Sequence, residues 1–246
     1  MKIEKYSASG NDFVIFHSDI KEDRSELAKD LCHRQNGVGA DGLIVVIPHN
    51  EYDFEWQFYN SDGSTAEMCG NGSRACAHYA YKYDLAPKNM SFLTEAGVIS
   101  AEVDGDIVQS ELTPPEIIDK SIEFNSKSWW LINTGVPHLV HITDNIKEFD
   151  IEELRELRYK YNANVNITSV DGKNLHVRTY ERGVEAETLA CGTGMAACYY
   201  RALTEGKVNG SIEVYPTSGE TLYLGMNEKT ITFKGKVKNT FSTNWE

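Results

Sequence analysis

The octapeptide Cys69-Gly-Asn-Gly-Ser-Arg-Ala-Cys76 returns as Cys191-Gly-Thr-Gly-Met-Ala-Ala-Cys198, 122 residues later in a chain of 246. The same offset carries Gly97 of TEAGVISAEV onto Gly219 of PTSGETLYLG. Upstream, DFEWQFYN alternates apolar Phe54, Trp56 and Phe58 with polar neighbours, as a half-buried strand does. Its counterpart NLHVRTYE lies at an offset of 121, with Asn60 falling on Glu181. One inserted residue in ERGVEAET accounts for the difference. Each half therefore reads as strand, polar loop, Cys-Gly-x-Gly, helix, strand, Gly turn and strand. Two copies are too few for a solenoid. Each is long enough for its own core, so the expectation is a pair of similar domains about a pseudo-twofold axis, with a ligand cleft between them.

The four repeated cysteines fall into two kinds. Cys76 and Cys198 sit two helical turns past the first cysteine, among Ala75, Ala77, Ala196 and Ala197, where small residues suit a buried helix. They are expected to be packing residues. Cys69 and Cys191 lie where a polar loop enters a helix, beside glycines that let a ligand approach the backbone. Unpaired amides and the helix dipole favour a thiolate at such a place. Cys32 makes the count odd, and no Cys-x-x-Cys occurs, so neither a disulfide framework nor a metal site is called for. Free thiols suit a reducing compartment. A net charge of −13 argues against nucleic acid and anionic membranes, which select basic surfaces. No apolar run reaches the ~18 residues of a membrane span, and the opening MKIEKYSASGNDF lacks a signal peptide's apolar segment. The expected setting is the cytoplasm.

Two activated thiols in equivalent places ask for a joint explanation. Inverting a tetrahedral carbon needs a base on one face and an acid on the other, with roles exchanged in the reverse direction. Two identical groups in near-equivalent settings meet that need, and thiols can be tuned towards neutrality. The obstacle is the weak acidity of a carbon next to a carboxylate. One helix terminus contributes roughly 0.3–2 kcal/mol, and oriented donors in a dry site roughly 2.7–4 kcal/mol each. Amides around Gly70, Asn71, Gly192 and Thr193 at two helix ends are thus the expected main source of stabilisation, with no cofactor.

The stretches SGNDFVIF, GADG at Gly39–Gly42, YNSDGSTAEMCGNGSRAC, NTGVPH, the NVN of Asn164–Asn166 and ERGVEAETLACGTG span the chain. In this combination the sequence resembles the diaminopimelate epimerases over its whole length. This resemblance implies a mixed α/β fold of two pseudo-symmetric domains, each a curved mixed sheet wrapped around a central helix, with the active site in the interdomain cleft. The expected domains are residues 1–113 with about 239–246, and 114–238, hinged at LTPPE. The resemblance implies Cys69 and Cys191 as the acid/base pair, and His138 and Glu181 as groups that orient and activate them. Asn11, Asn60, Asn166 and Arg182 would hold the distal amino-acid end, and Gly70, Asn71, Gly192 and Thr193 the α-carboxylate. The implied partner is a small amino-acid substrate, and the implied assembly a homodimer. Departures from the family pattern at Gly42 and Val136 fall on the distal side. Three other readings stay open: a different cofactor-independent amino-acid racemase, a thiol hydrolase using one cysteine with His138, and a redox or metal-binding protein.

Overall fold

The computed structural model describes every residue, Met1–Glu246. The chain divides into two compact units, one of Met1–Glu111 with Lys234–Glu246 and one of Leu112–Phe233. No helix is long and apolar enough to cross a membrane.

The first unit contains β1 (Lys2–Ala8), β2 (Asn11–His17), α1 (Ser25–Cys32), β3 (Gly42–Ile47), β4 (Phe54–Asn60), α2 (Gly70–Lys82), β5 (Asn89–Thr94), β6 (Gly97–Asp104) and β7 (Ile107–Glu111). The last strand of the chain, β17 (Lys238–Asn244), pairs with β1. From β17 the sheet runs β1, β2, β3, β4, β5, β6, β7, with β2–β3 and β4–β5 parallel and the other pairs antiparallel. Strand β3, GLIVVI, is buried at every position. Its alternation explains why: Ile44 and Val46 join the core around α2, while Leu43, Val45 and Ile47 join a second core under α1. A sheet covered on both faces needs such a continuous apolar run.

The second unit repeats this plan with β8 (Glu116–Phe124), β9 (Lys127–Asn133), β10 (Pro137–Ile142), α3 (Ile151–Tyr161), β11 (Asn164–Asp171), β12 (Asn174–Glu181), the short β13 (Ala186–Thr188), α4 (Gly192–Thr204), β14 (Ile212–Tyr215), β15 (Leu222–Asn227) and β16 (Thr230–Lys236), which leads back to the first unit. Its pairings β8–β9–β10–β11–β12–β14–β15 have the same senses, with β10–β11 and β12–β14 parallel. Strands β9 to β12 pack on α4.

The central helices match end to end: α2 spans Gly70–Lys82 and α4 Gly192–Thr204, both shifted by the offset of the repeat. Each closes in a Schellman turn. Leu85 N–H donates to Ala80 O and Asp84 N–H to Tyr81 O in one; Lys207 N–H donates to Ala202 O and Gly206 N–H to Leu203 O in the other. The left-handed residue is Asp84 (φ 55°) after α2 and Gly206 (φ 69°) after α4, and both helices stop two residues past their last buried alanine. Cys76 and Cys198 are fully buried inside these helices, and burial pushes both thiols up, which leaves them inert. Cys32, the last residue of α1, is buried against the sheet, and burial pushes its thiol up to about 12.

Buried Glu4 fastens β17 to the first unit. Burial alone would raise its carboxyl, but hydrogen bonds from Tyr83, Ser242, Lys82 and Asn239 prevail and hold it at about 2. A carboxylate lowered from 4.5 contributes stability above its unfolded value that is lost as pH falls through the folded one. Linkage puts the loss on the order of 3 kcal/mol between about pH 4.5 and pH 2. Thermal unfolding followed by circular dichroism should show this acid-side decline, and Glu4→Gln should flatten it; an unchanged acid slope in the variant would refute the assignment.

Candidate active site

Cys69 and Cys191 each stand at the N-cap of a central helix, in extended backbone conformation. The two caps are built differently. In α2 the Cys69 sulfur accepts the Gly72 N–H at 3.3 Å, a thiol version of the usual capping bond. In α4 the cysteine makes no such cap bond; its sulfur lies 3.6 Å from the Thr193 hydroxyl. In both helices the first-turn amides at Gly70 and Asn71, and at Gly192 and Thr193, have no intrahelical acceptor and suit an anion. Gly192 packs closely, since a Cβ there would lie 3.1 Å from the Phe233 ring.

Around α2 the polar side chains form one network. The turn Ser9–Gly10 between β1 and β2 is left-handed at both residues (φ 55° and 84°), and this brings Asn11 against the helix start. Asn71 donates to Asn11 Oδ1 at 2.6 Å and accepts from Arg74, which also donates to Ser9. Asn11 in turn donates to Asp41, and Arg34 bridges Asp41 and Asp12. Burial opposes the charge on Asp12, but Arg34 and Lys5 hold its carboxyl at about 2. The Asn71 side chain is thereby used to fasten the loop, while its amide stays at the helix end. Asn60, at the end of β4, bonds Ser64 across its own turn and stands apart from this network.

Around α4 the arrangement is a chain of hydrogen bonds. His138 on β10 is fully buried, with Nε2 at 2.9 Å from Thr193 Oγ1 and Nδ1 at 3.0 Å from Asn166 Nδ2. Burial, helped by the Arg182 charge, pushes this imidazole down to about 3, so it stays neutral in the folded protein. Thr193 O also accepts from the buried Thr134 hydroxyl at 2.9 Å. Half-buried Arg182 follows β12; its N–H donates to Asn164 Oδ1 and its guanidinium to Asn162 O. Glu181 is half-buried at the end of β12.

One expected role does not match its placement. Asn166 was assigned to a substrate's distal end, yet it has no exposed surface. Its amide donates to His138 and Leu139 O and accepts from Thr179, so it is occupied inside the fold. Asn164 shares its face of β11, lies two residues nearer the strand start and is also buried; its Oδ1 accepts the Arg182 N–H and its Nδ2 lies 3.4 Å from His138 Nε2. The motif NVN contains both residues, and period-two alternation puts them on one face. Thr134, Asp41 and Arg74 also went unnamed, since each acts through contacts distant in sequence. No group of three or more His, Cys, Asp or Glu residues is placed to hold a metal ion.

The profile of the Diaminopimelate epimerase family matches residues 3–118 and 130–238. A diaminopimelate epimerase of Nitratiruptor sp. is 63% identical over 244 residues, covering 99% of this chain and 98% of the relative. The chain belongs to the diaminopimelate epimerase family. Family members of Campylobacter jejuni (54% identical, covering 100% of this chain and 99% of the relative) and Helicobacter pylori (43%, covering 97% and 94%) agree along almost the full length. Among solved structures, a probable proline racemase from Agrobacterium radiobacter aligns with TM-score 0.79 at 12% identity, covering 100% of this chain and 92% of that one. A hydroxyproline epimerase from Agrobacterium vitis, with bound trans-4-hydroxy-L-proline, aligns with TM-score 0.75 at 13% identity, covering 99% and 91%. At such identities these show the shared fold of the diaminopimelate epimerase family. The departure at Gly42 has a local cause, because a Cβ there would lie 2.6 Å from the Phe58 ring and 2.8 Å from Tyr59 O.

Proposed function

We propose that this chain interconverts LL- and meso-2,6-diaminopimelate without a cofactor, using Cys69 and Cys191 as a two-base pair. The reading is carried by the two cysteines that cap equivalent helices of a duplicated unit in a member of the diaminopimelate epimerase family. One thiolate removes the α-proton and the other thiol delivers a proton to the opposite face; the carbon inverts and the two sulfurs exchange protonation states. The first-turn amides of α2 and α4 stabilise the negative charge that develops on the α-carboxylate. Asn11, Asn60 and Arg182 are proposed for the distal end, where guanidinium and amide donors suit a second carboxylate. Glu181 and His138 are proposed to orient the thiols. By the family resemblance the enzyme acts in the cytoplasm as a homodimer, in lysine and peptidoglycan synthesis.

The test is incubation with LL-diaminopimelate in deuterated water under reducing conditions. The meso product should carry one deuterium at the inverted carbon, while LL-isomer recovered early stays unlabelled, because the base and the acid are different sulfurs. Absence of any exchange would refute the function. Exchange confined to a monoamino acid would replace the substrate but keep the mechanism.

A further inference from the structure

The two copies of the repeat part company at the turn that follows β4 and β12. Asn60 precedes Cys69 by nine residues, whereas Glu181 precedes Cys191 by ten. Tyr59 bridges Thr65 in the first unit, while Tyr180 pairs with Glu187 and Glu181 with Ala186 in the second, so the extra residue lies inside the turn itself. The first turn closes with Gly63 left-handed (φ 83°) and the Asn60 N–H bonded to Ser64 O. The second has two left-handed residues, Gly183 (φ 90°) and Glu185 (φ 58°). A glutamate is disfavoured in that region, where a glycine would sit freely. Its side chain supplies the compensation. Glu185 Oε1 accepts the Gly183 N–H at 3.1 Å and Arg158 Nε at 2.8 Å, and Arg158 Nη2 lies 2.7 Å from the same oxygen. The Glu185 N–H donates to Glu181 O at 2.8 Å, and its carbonyl accepts the Tyr180 hydroxyl at 2.9 Å. Arg158 stands on the last turn of α3, and Arg155, one turn earlier, adds a second positive charge near Glu185.

We propose that Glu185, held by Arg158, is a positioning residue that presents the Arg182 guanidinium to the distal carboxylate of the substrate; this rests on the role given to Arg182 above. The end of α3 meets the turn twice. Arg158 takes hold of Glu185 on the far side, and Asn162 O, four residues on, accepts from Arg182 Nη1 at 3.0 Å on the near side. Asn162 is the left-handed C-cap of α3 (φ 49°), so its carbonyl belongs to the negative end of the helix and suits a cation. Arg158 also reaches Asn162 Oδ1 at 3.4 Å, which joins the two contacts. Asn164, at the start of β11, accepts the Arg182 N–H at 2.8 Å. Arg182 is thus fixed through its backbone by β11 and through Nη1 by α3. The Nε–Nη2 edge, whose parallel donors match a carboxylate, takes no part in these bonds. Ser61 holds the corresponding place in the first unit, with its N–H on Asp41 O. That turn carries no cation to aim, and no glutamate braces it.

Two measurements on the full-length protein test this. The first is steady-state kinetics with LL-diaminopimelate. Glu185→Gly removes the carboxylate but suits the left-handed backbone, so it should melt within a few degrees of wild type. Its KM should nonetheless rise about tenfold with kcat changed less than about threefold, because a distal contact holds ground state and transition state alike. Arg158→Met should raise KM by a similar factor, and the double variant no further than either alone, since both cut one tie. The second measurement is hydrogen exchange, which needs no turnover. The Gly183 and Glu185 amides, bonded to Glu185 Oε1 and Glu181 O, should exchange faster in Arg158→Met. Unchanged exchange in that variant, or a KM within about twofold of wild type in Glu185→Gly, would overturn the proposal. Should Glu185→Gly melt low, Arg158→Met decides by the same KM criterion. A wild type without epimerase activity removes the proposed function and this role together; an active wild type with unshifted variants removes the role of Glu185 alone.

Discussion

Cys69→Ala and Cys191→Ala are each expected to slow inversion by about 10²–10⁴, the usual contribution of a positioned acid or base. Each half of the reaction needs its own sulfur, so neither variant can be rescued by the other thiol. A hydrolase using one cysteine as nucleophile predicts the opposite pattern, one variant dead and the other tolerated. The assay is the approach to the LL/meso equilibrium by chiral chromatography, started from each isomer. Cys69→Ala also removes a capping bond and should cost about 0.5–1 kcal/mol. Retention of near-normal activity by either variant would sink the two-base mechanism.

Gly194→Ala is expected to destabilise the protein by roughly 2–4 kcal/mol, whereas Gly72→Ala, at the matching place in α2, should change it by less than about 1 kcal/mol. Alanine is intrinsically the better helix former by about 1 kcal/mol, so helix propensity would favour both changes. Surroundings decide otherwise. A Cβ on Gly194 would lie 2.3 Å from Asn166 Oδ1 and 3.1 Å from Thr179 Oγ1. Asn166 cannot swing aside without breaking its bonds to His138, Leu139 and Thr179, all in a buried setting. At Gly72 the nearest atoms are Cys69 Cβ at 3.3 Å, Ile44 Cδ1 at 3.4 Å and Cys69 Sγ at 3.5 Å, tight contacts that small shifts relieve. For a chain of this size each kcal/mol moves the melting temperature by about 2–4 °C, so Gly194→Ala should melt roughly 5–15 °C low. Activity should fall with it, since displacing Asn166 releases His138. Equal melting temperatures for wild type and Gly194→Ala would refute this account of the second glycine.

The two cores show why some features are visible in a linear chain and others are not. Periodicity reports which face of a strand is covered, because successive side chains alternate across a sheet. That made β4 and β12 legible from DFEWQFYN and NLHVRTYE, and α2 and α4 from their runs of small residues. The helix ends were less so: α2 stops at Lys82, because Asp84 takes the left-handed conformation that glycine takes after α4. Asn164 and Asn166 mark the limit in the site. Both lie on one face of β11 and both contact His138, and alternation cannot say that Asn164 also takes the Arg182 N–H while Asn166 also bonds Leu139 O and Thr179.

By itself, then, the sequence determined the duplication, the alternation of elements in each half, the membership of the family and the two cysteines at matching helix starts, because each is written in local spacing. Tertiary structure alone decided that the matching starts are unlike: an amide holds the Cys69 sulfur, and a hydroxyl backed by buried His138 lies against that of Cys191. The reason is physical. Spacing along a chain sets which way a side chain points, whereas hydrogen-bond partners and burial depend on strands and helices brought together from distant parts of it.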